Sequence, residues 1–504
     1  MNIAYERYKE LLCRLADVQY SIAILNWDLE TYMPPKGAES RAQQISTLSG
    51  IAHNLSTSEE LGDLLFKLES DTSLDEIQQK NIYYSLKSYR LNKKYSQAFV
   101  EELSRAISEA FQAWQKAKET NNFSLYAPKL EKLVRLKREE CTIIGFTGHP
   151  YDALLDQYEP GALTADLSIL FTDVRSQLVA FVKQIAAQPQ NEDGFMFLHY
   201  DKDKQWDFGL ELLTQMGYDF EAGRQDISSH PFTTNFGPKD VRVTTRIAED
   251  NLNEMIWSCI HEGGHALYEQ GLPYSEYGLP SGEYISLGIH ESQSRLWENN
   301  VGRNLPYWKH NLARLKEIFP EQLKNVQPEA FFKAINKVRP SLIRTNADEL
   351  TYHFHILIRF EIEKALIEGS IEVKDLPALW NSKYKEYLGL DVPSDSQGVL
   401  QDIHWSHGSF GYFPTYSLGS FYAAQFYNKA AQEIPALELE IEKGNMKPLL
   451  NWLREHIHRH GKRYTAEELC KRICGERLNF KYFMNYAQKK YGELYKLEKL
   501  VKKA

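Results

Sequence analysis

Residues 253–271, NEMIWSCIHEGGHALYEQG, set an H-E-x-x-H pentad inside an apolar run. Met255, Ile256, Cys259, Ile260, Ala266, Leu267 and Tyr268 recur close to helical spacing, so the stretch is expected to be a helix buried along one side. Burying it brings His261, Glu262 and His265 inside as well, and polar groups without partners are costly there. A fold that accepts this stretch must therefore supply something for three ionisable side chains to bind. One metal ion would do so. Positions i and i+4 share a helix face, so both imidazoles can meet a single ion. Glu262 falls one residue along, angled away from the ion but close to any water that the ion activates.

Catalytic zinc commonly takes three protein ligands and keeps a fourth position open. A second pair, His290-Glu291, begins another helix-like run, SLGIHESQSRLWENNVGR, a short loop later. Glu291 is the expected third ligand, which makes a site of two histidines and one glutamate. A pair of solvated or core histidines that happen to fall four apart is the alternative.

Composition narrows the surroundings of that site. The chain has 504 residues, 43% of them apolar, enough for a substantial core. Lys and Arg number 59 against 68 Asp and Glu, a net charge of -9 with both signs interspersed, so the basic footprint of a nucleic-acid binder is missing. No run approaches the ~18 apolar residues of a membrane span. The start, MNIAYERYKELLCRL, lacks the apolar core of a signal peptide. Cys13, Cys141, Cys259, Cys470 and Cys474 are scattered and odd in number, as expected of reduced thiols in a cytoplasmic protein.

Most of the chain reads as helix. Helices are expected from Tyr5 to about Leu25, from near Ala38, almost throughout 56–139, and from Thr164 to about Gln188. Trp27 and Met33 are expected to be core residues of the junction between the first two. In the break at 145–161, Asp152 and Tyr158 are expected to pack rather than react. The texture changes only before the pentad. There Val241, Val243 and Thr245 alternate with Arg242, Thr244 and Arg246, the mark of a strand. An exposed strand edge at this place could pair with an extended peptide, although a structural hairpin is an equal reading. His353 and His355 are two apart and cannot share a helix face as ligands, so both are expected to pack or to support a ligand from behind. Residues 398–421, dense in Gly, His and aromatics, are expected to form a stiff loop lining a pocket. The rest, from Tyr422 to Ala504, reads as helical. No repeat or linker appears. We expect one mostly helical domain over 1–504, with a helical N-terminal part to about 200 and a metal-bearing part from about 201.

Together these segments resemble the carboxypeptidase Taq family, metallocarboxypeptidases of the thermostable carboxypeptidase 1 type. The resemblance rests on WDLETYMPPKG with Arg41 and Gln44, HPFTT at 230–234, DVRVTTR from Asp240, HEGGH, HES at 290–292, IRTNADELTY from Ile343, and GVLQDIHWSHGSFGYFPTY. Two positions depart from it: Gly263, where members commonly carry Phe, and Asn346, where they commonly carry Glu. The resemblance implies a mostly α fold with a deep central groove and a small β-sheet beside the metal helix. It implies one divalent ion, zinc before cobalt, and removal of single residues from peptide C-termini with broad specificity, often by homodimers. Carried onto this sequence, the metal falls to His261, His265 and Glu291, and the general base to Glu262. Arg344 is then the anchor for the substrate's terminal carboxylate, and Tyr412 and Tyr416 are candidates for holding that carboxylate or the oxyanion. A helical zinc oligopeptidase would use the same pentad for internal or dipeptide cleavage. A scaffold with a structural zinc would call for a closed site, commonly with cysteines, and none is placed for it.

Overall fold

A computed structural model describes residues 2–497 of the chain. Helices Ile3–Thr31 and Ala38–Ser56 flank the Pro34-Pro35 turn, the first running further than its periodicity suggests. Trp27 is buried as expected, whereas Met33 sits at the turn and is only half-buried. The expected helical stretch 56–139 is four helices, Glu59–Glu69, Glu76–Lys94, Gln97–Glu119 and Ala127–Ile144. Ser58 and Ser96 accept from the third backbone N–H beyond them and so start two of these. Helix Thr164–Ala186 follows the break, and Asp152 there accepts from the N–H groups of His149 and Thr164, a packing role. Toward the C-terminus helix Lys481–Leu494 is the last described, and residues 498–504 of the expected helical tail lie outside the described residues.

The chain folds as two compact units interleaved in sequence. One comprises the stretch up to Lys93, Glu192–Ile335 and Tyr422–Leu478. The other comprises Lys94–Asn191, Asn336–Phe421 and the stretch from Asn479.

The first unit holds a three-stranded sheet: β1 (Gln225–Ile227), β2 (Thr233–Asn235) and β3 (Val241–Thr245), in the order β1-β3-β2. β3 pairs parallel to β1, with Gln225 opposite Val243, and antiparallel to β2, with Thr233 opposite Val243. The strand that the alternation marks is therefore central. Both its edges are used, and an edge for an extended peptide belongs to β1 or β2 instead. Thr244 is buried, and its hydroxyl accepts from the Ser228 hydroxyl and the Phe232 N–H.

The pentad helix, Leu252–Gln270, packs against this sheet and starts at Asn251, whose side chain accepts from the Asn253 N–H. Its paired glycines admit neighbours on two sides. A Cβ on Gly264 would lie 2.7 Å from Ser294 Cα and 2.8 Å from the Gln293 carbonyl, so the backbone of helix Leu287–Arg295 passes against it. A Cβ on Gly263 would meet Leu213 Cδ2 at 2.7 Å and Met216 Cε at 3.0 Å, both from helix Lys202–Met216. Close approach at Gly264 is what brings Glu291 to the two histidines.

In the second unit the expected loop 398–421 is only partly a loop. It turns once at His404–His407 and gives way at Pro414 to helix Pro414–Glu433, so Tyr416 stands in a first helical turn.

Candidate metal centre

On the half-buried face of the pentad helix, His261 Nε2 lies 3.7 Å and His265 Nε2 3.4 Å from the same oxygen, Glu291 Oε2. All three ligand atoms lie within 4.8 Å of one another. Donors about 2.0–2.2 Å from a tetrahedral ion stand roughly 3.3–3.6 Å apart, so the donor set fits a divalent cation of zinc's size. Chemistry agrees, since two neutral imidazoles and one carboxylate suit a borderline-soft ion.

Each of the three side chains is also held by neighbours of its own. Arg295 Nε donates to Glu291 Oε1 at 2.7 Å, and Ser294 Oγ donates to Oε2 at 3.0 Å. His261 Nδ1 is 2.9 Å from Glu298 Oε2. Glu298 in turn accepts from Arg295 Nη1 and Arg303 Nη2, each at 3.1 Å. It stands in a π-helical turn, Leu296–Gly302, a conformation that often accompanies functional sites. His265 Nδ1 is 2.6 Å from His290 Nδ1.

Charge follows from these contacts. Burial pushes the Glu291 and Glu298 carboxyls up, but Arg295 and the imidazoles outweigh it and hold both well below the usual carboxylate range. Burial, with His290 beside it, takes His265 down to about 3, leaving a neutral imidazole. Burial also pulls His261 down, yet Glu291 and Glu298 reverse the balance and raise it. Glu262 is buried, and that burial raises its carboxyl against the opposing pull of His261 and Thr233. The Thr233 hydroxyl, reaching across from β2, lies 2.7 Å from Glu262 Oε2.

The second unit gathers the other three residues singled out from the sequence. Arg344, 7% exposed, donates from Nε and Nη2 to Asp402 at 3.1 and 3.0 Å and from Nη1 to the Tyr352 hydroxyl at 3.0 Å. Its guanidinium lies 5.0 Å from the Tyr416 ring centroid, and Tyr412 packs on Tyr416 at 5.3 Å. His404 Nε2 is 3.2 Å from the Tyr416 hydroxyl. Arg359 also donates to Asp402, at 2.7 Å. Two guanidiniums share one carboxylate, and the cluster keeps one positive charge in excess. That pair holds Asp402 far below its usual range despite burial, and burial takes His404 down to about 3. Asn346 is exposed at the end of the turn Arg344–Asn346, so the charge beside Arg344 comes from Asp402.

Asp402, Arg359, His404, Glu298 and Thr233 were not singled out by sequence reasoning. One signal was available: Arg359 interrupts an apolar helix, ILIRF, where an unpaired cation is untenable. His353 and His355 do pack, against Ser417 and Tyr384. All five cysteines are free, and Cys259 Sγ faces Thr245 and Gln225.

A helical protein that aims two imidazoles and a carboxylate at one point, with a further buried glutamate alongside, falls in the class of metallopeptidases. Comparison with known proteins narrows the class. The family model described as Carboxypeptidase Taq (M32) metallopeptidase matches residues 7–491, and the chain belongs to that family. It is 41% identical to "Carboxypeptidase 1" of Bacillus subtilis over 498 residues, 98% of this chain and 99% of the relative. It is 39% identical to "Thermostable carboxypeptidase 1" of Thermus thermophilus, across 98% of this chain and 99% of that one. The solved M32 carboxypeptidase from Deinococcus radiodurans superposes with a TM-score of 0.97 at 37% identity, covering 98% of this chain and 100% of that one. The protein is thus a metal-dependent carboxypeptidase, a peptide hydrolase. Among the described residues no helix is long and apolar enough to cross a membrane.

Proposed function

We propose that this protein releases single amino acids from the C-termini of peptides, with broad tolerance of side chain. In this reading His261, His265 and Glu291 hold one zinc ion, or cobalt in its place, and Glu262 is the general base. The observation that carries it is the convergence of three ligand atoms whose side chains are each held by neighbours. A divalent ion bound there supplies Lewis-acid activation of water and of the scissile carbonyl. Glu262 takes the proton from the attacking water and returns it to the departing nitrogen, with Thr233 keeping one carboxylate oxygen fixed. Arg344 receives the terminal carboxylate as a two-pronged donor, the geometry an arginine offers best. Support for that role comes from the excess charge of the Arg344–Asp402–Arg359 cluster. Tyr412 and Tyr416 hold the same carboxylate or the developing oxyanion. The same reading takes residues 1–504 as one catalytic domain acting as a cytoplasmic homodimer. A monomer mass by light scattering would remove the dimer.

A helical zinc oligopeptidase is the rival, and the position of the carboxylate anchor separates the two. A defined peptide with zinc or cobalt, followed by mass spectrometry, should shorten one residue at a time from its free C-terminus. The amidated peptide should persist. Internal fragments or dipeptide steps would transfer the protein to the rival class. Glu262→Gln should keep its metal by elemental analysis while kcat falls about 10²–10⁴-fold.

A further inference from the structure

His290 precedes Glu291 by one residue, so the two side chains leave helix Leu287–Arg295 in different directions. Glu291 turns to the histidine pair; His290 turns to the back of one of them. Its ring lies nearly parallel to that of His265, 28° between planes with centroids 4.5 Å apart. The two Nδ1 atoms are 2.6 Å apart, and His290 Nε2 is 2.8 Å from Oε1 of Glu269, which is buried. Tyr284 closes over the imidazole edge-on at 4.9 Å. Glu269, His290 and His265 thus form an unbroken chain of hydrogen bonds that ends at the metal-facing nitrogen.

Only one placement of protons satisfies that chain and a metal together. His265 Nε2 must offer a lone pair, so its proton sits on Nδ1 and is donated to His290 Nδ1. That nitrogen must then be an acceptor, so the proton of His290 sits on Nε2 and is donated to the Glu269 carboxylate. The opposite order would give His290 Nδ1 the proton. His265 would then carry its own on Nε2, with no lone pair for an ion. An ionised Glu269 can only accept, and so selects the first order. We propose that Glu269 and His290 are positioning residues that fix His265 in its metal-ligating tautomer and thereby set the metal affinity of the centre. His261 is fixed by a separate device, the Glu298 carboxylate, so the two imidazoles are oriented independently.

This inference rests on the assignment of His265 as a ligand, and the test keeps the two apart. Zinc affinity of the metal-free full-length protein is measured by competition with a chelating indicator, and the cobalt(II) absorption spectrum is recorded beside it. Wild type should take up one equivalent and His265→Ala should lose it; retention by His265→Ala would sink the ligand assignment itself. His290→Leu, which removes the acceptor, should weaken zinc about 10–100-fold and alter the cobalt bands. Glu269→Gln keeps an oxygen acceptor for His290 and should lose less. Zinc affinity of His290→Leu within twofold of wild type, with wild type and His265→Ala behaving as stated, overturns this inference alone. Should His290→Leu fail to fold by circular dichroism, Glu269→Ala is read with the same thresholds. In ¹⁵N-histidine spectra of the zinc form, His290 should carry its proton on Nε2; a proton on Nδ1 also overturns it.

Discussion

Thr233 reaches Glu262 from β2 with a single hydroxyl proton, shared between Oε2 at 2.7 Å and the Glu262 carbonyl at 3.0 Å. A hydrogen bond to a charged group contributes about 1.5–3 kcal/mol, which corresponds to roughly a tenfold to hundredfold effect if it is needed in the transition state. Thr233→Val keeps the shape and removes the donor. It should lower kcat by about that factor with KM and bound metal little changed, and Thr233→Ser should restore most of the rate. A change confined to KM would refute the positioning role. Arg344 makes the complementary case. Arg344→Met leaves Asp402 paired with Arg359, so the fold is spared the cost of an orphaned buried carboxylate. Steady-state kinetics should show kcat/KM falling at least about a hundredfold for peptides with a free C-terminus, while any slow cleavage of amidated peptides is unchanged. Equal losses on both substrates would show that Arg344 only braces the loop.

Between elements the deciding contact is Gly264 against the backbone of helix Leu287–Arg295. A methyl there meets main-chain atoms, which cannot swing aside, and overpacking of this kind costs about 1–3 kcal/mol or more. Gly264→Ala should lower the thermal midpoint and weaken metal binding together, because the displaced helix carries Glu291. Gly263→Ala meets only the ends of Leu213 and Met216, and the helix gains about 1 kcal/mol in propensity, so it should be close to neutral. Thermal melts of the two variants that coincide would remove the argument. Much of this element was legible beforehand. Helical period, the i, i+4 histidines and the nearby His-Glu pair are local patterns, and paired glycines announce a close approach. What approaches was not legible, because Ser294 is thirty residues away in sequence. Nor was the π-helical turn at Leu296–Gly302, whose residues LWENNVG look like a plain helical continuation. The extra residue per turn changes the phase at which Glu298 emerges. The alternation at 241–245 marked a strand correctly, but not that Thr244 is drawn inward by hydroxyl bonds, which a period-two pattern does not carry.

For the molecule as a whole, Glu363 links stability to pH. It is fully buried and accepts from Tyr151, Trp405 and the Gly411 N–H, yet burial still raises its carboxyl from 4.5 to about 7. Folded protein therefore retains a proton that unfolded chain releases between those values. The contribution is fully present below 4.5 and is lost as pH rises through about 7, on the order of 3 kcal/mol in all. Glu363→Gln should be less stable at pH 5 and should lack this slope, so its deficit narrows as pH rises. Thermal midpoints at pH 5 and pH 8 check it, and parallel slopes in both proteins would rule it out. Mostly helical architecture was readable from the sequence because helices declare themselves within a few residues. The division into two interleaved units was not, since the partners that define it lie hundreds of residues apart.

That interleaving bears on how the chain is made. Each unit draws on three stretches, and the last piece of the first unit ends only at Leu478. At about 5–20 residues per second, a ribosome needs roughly half a minute to a minute and a half to reach that point. For a little under half of that interval, roughly 45% at a constant rate, the two histidines of the pentad are already synthesised while the last stretch of their own unit is incomplete. A nascent chain of this kind completes neither unit until its last stretches are made, so stalled or nonsense-truncated products should be held by chaperones or degraded.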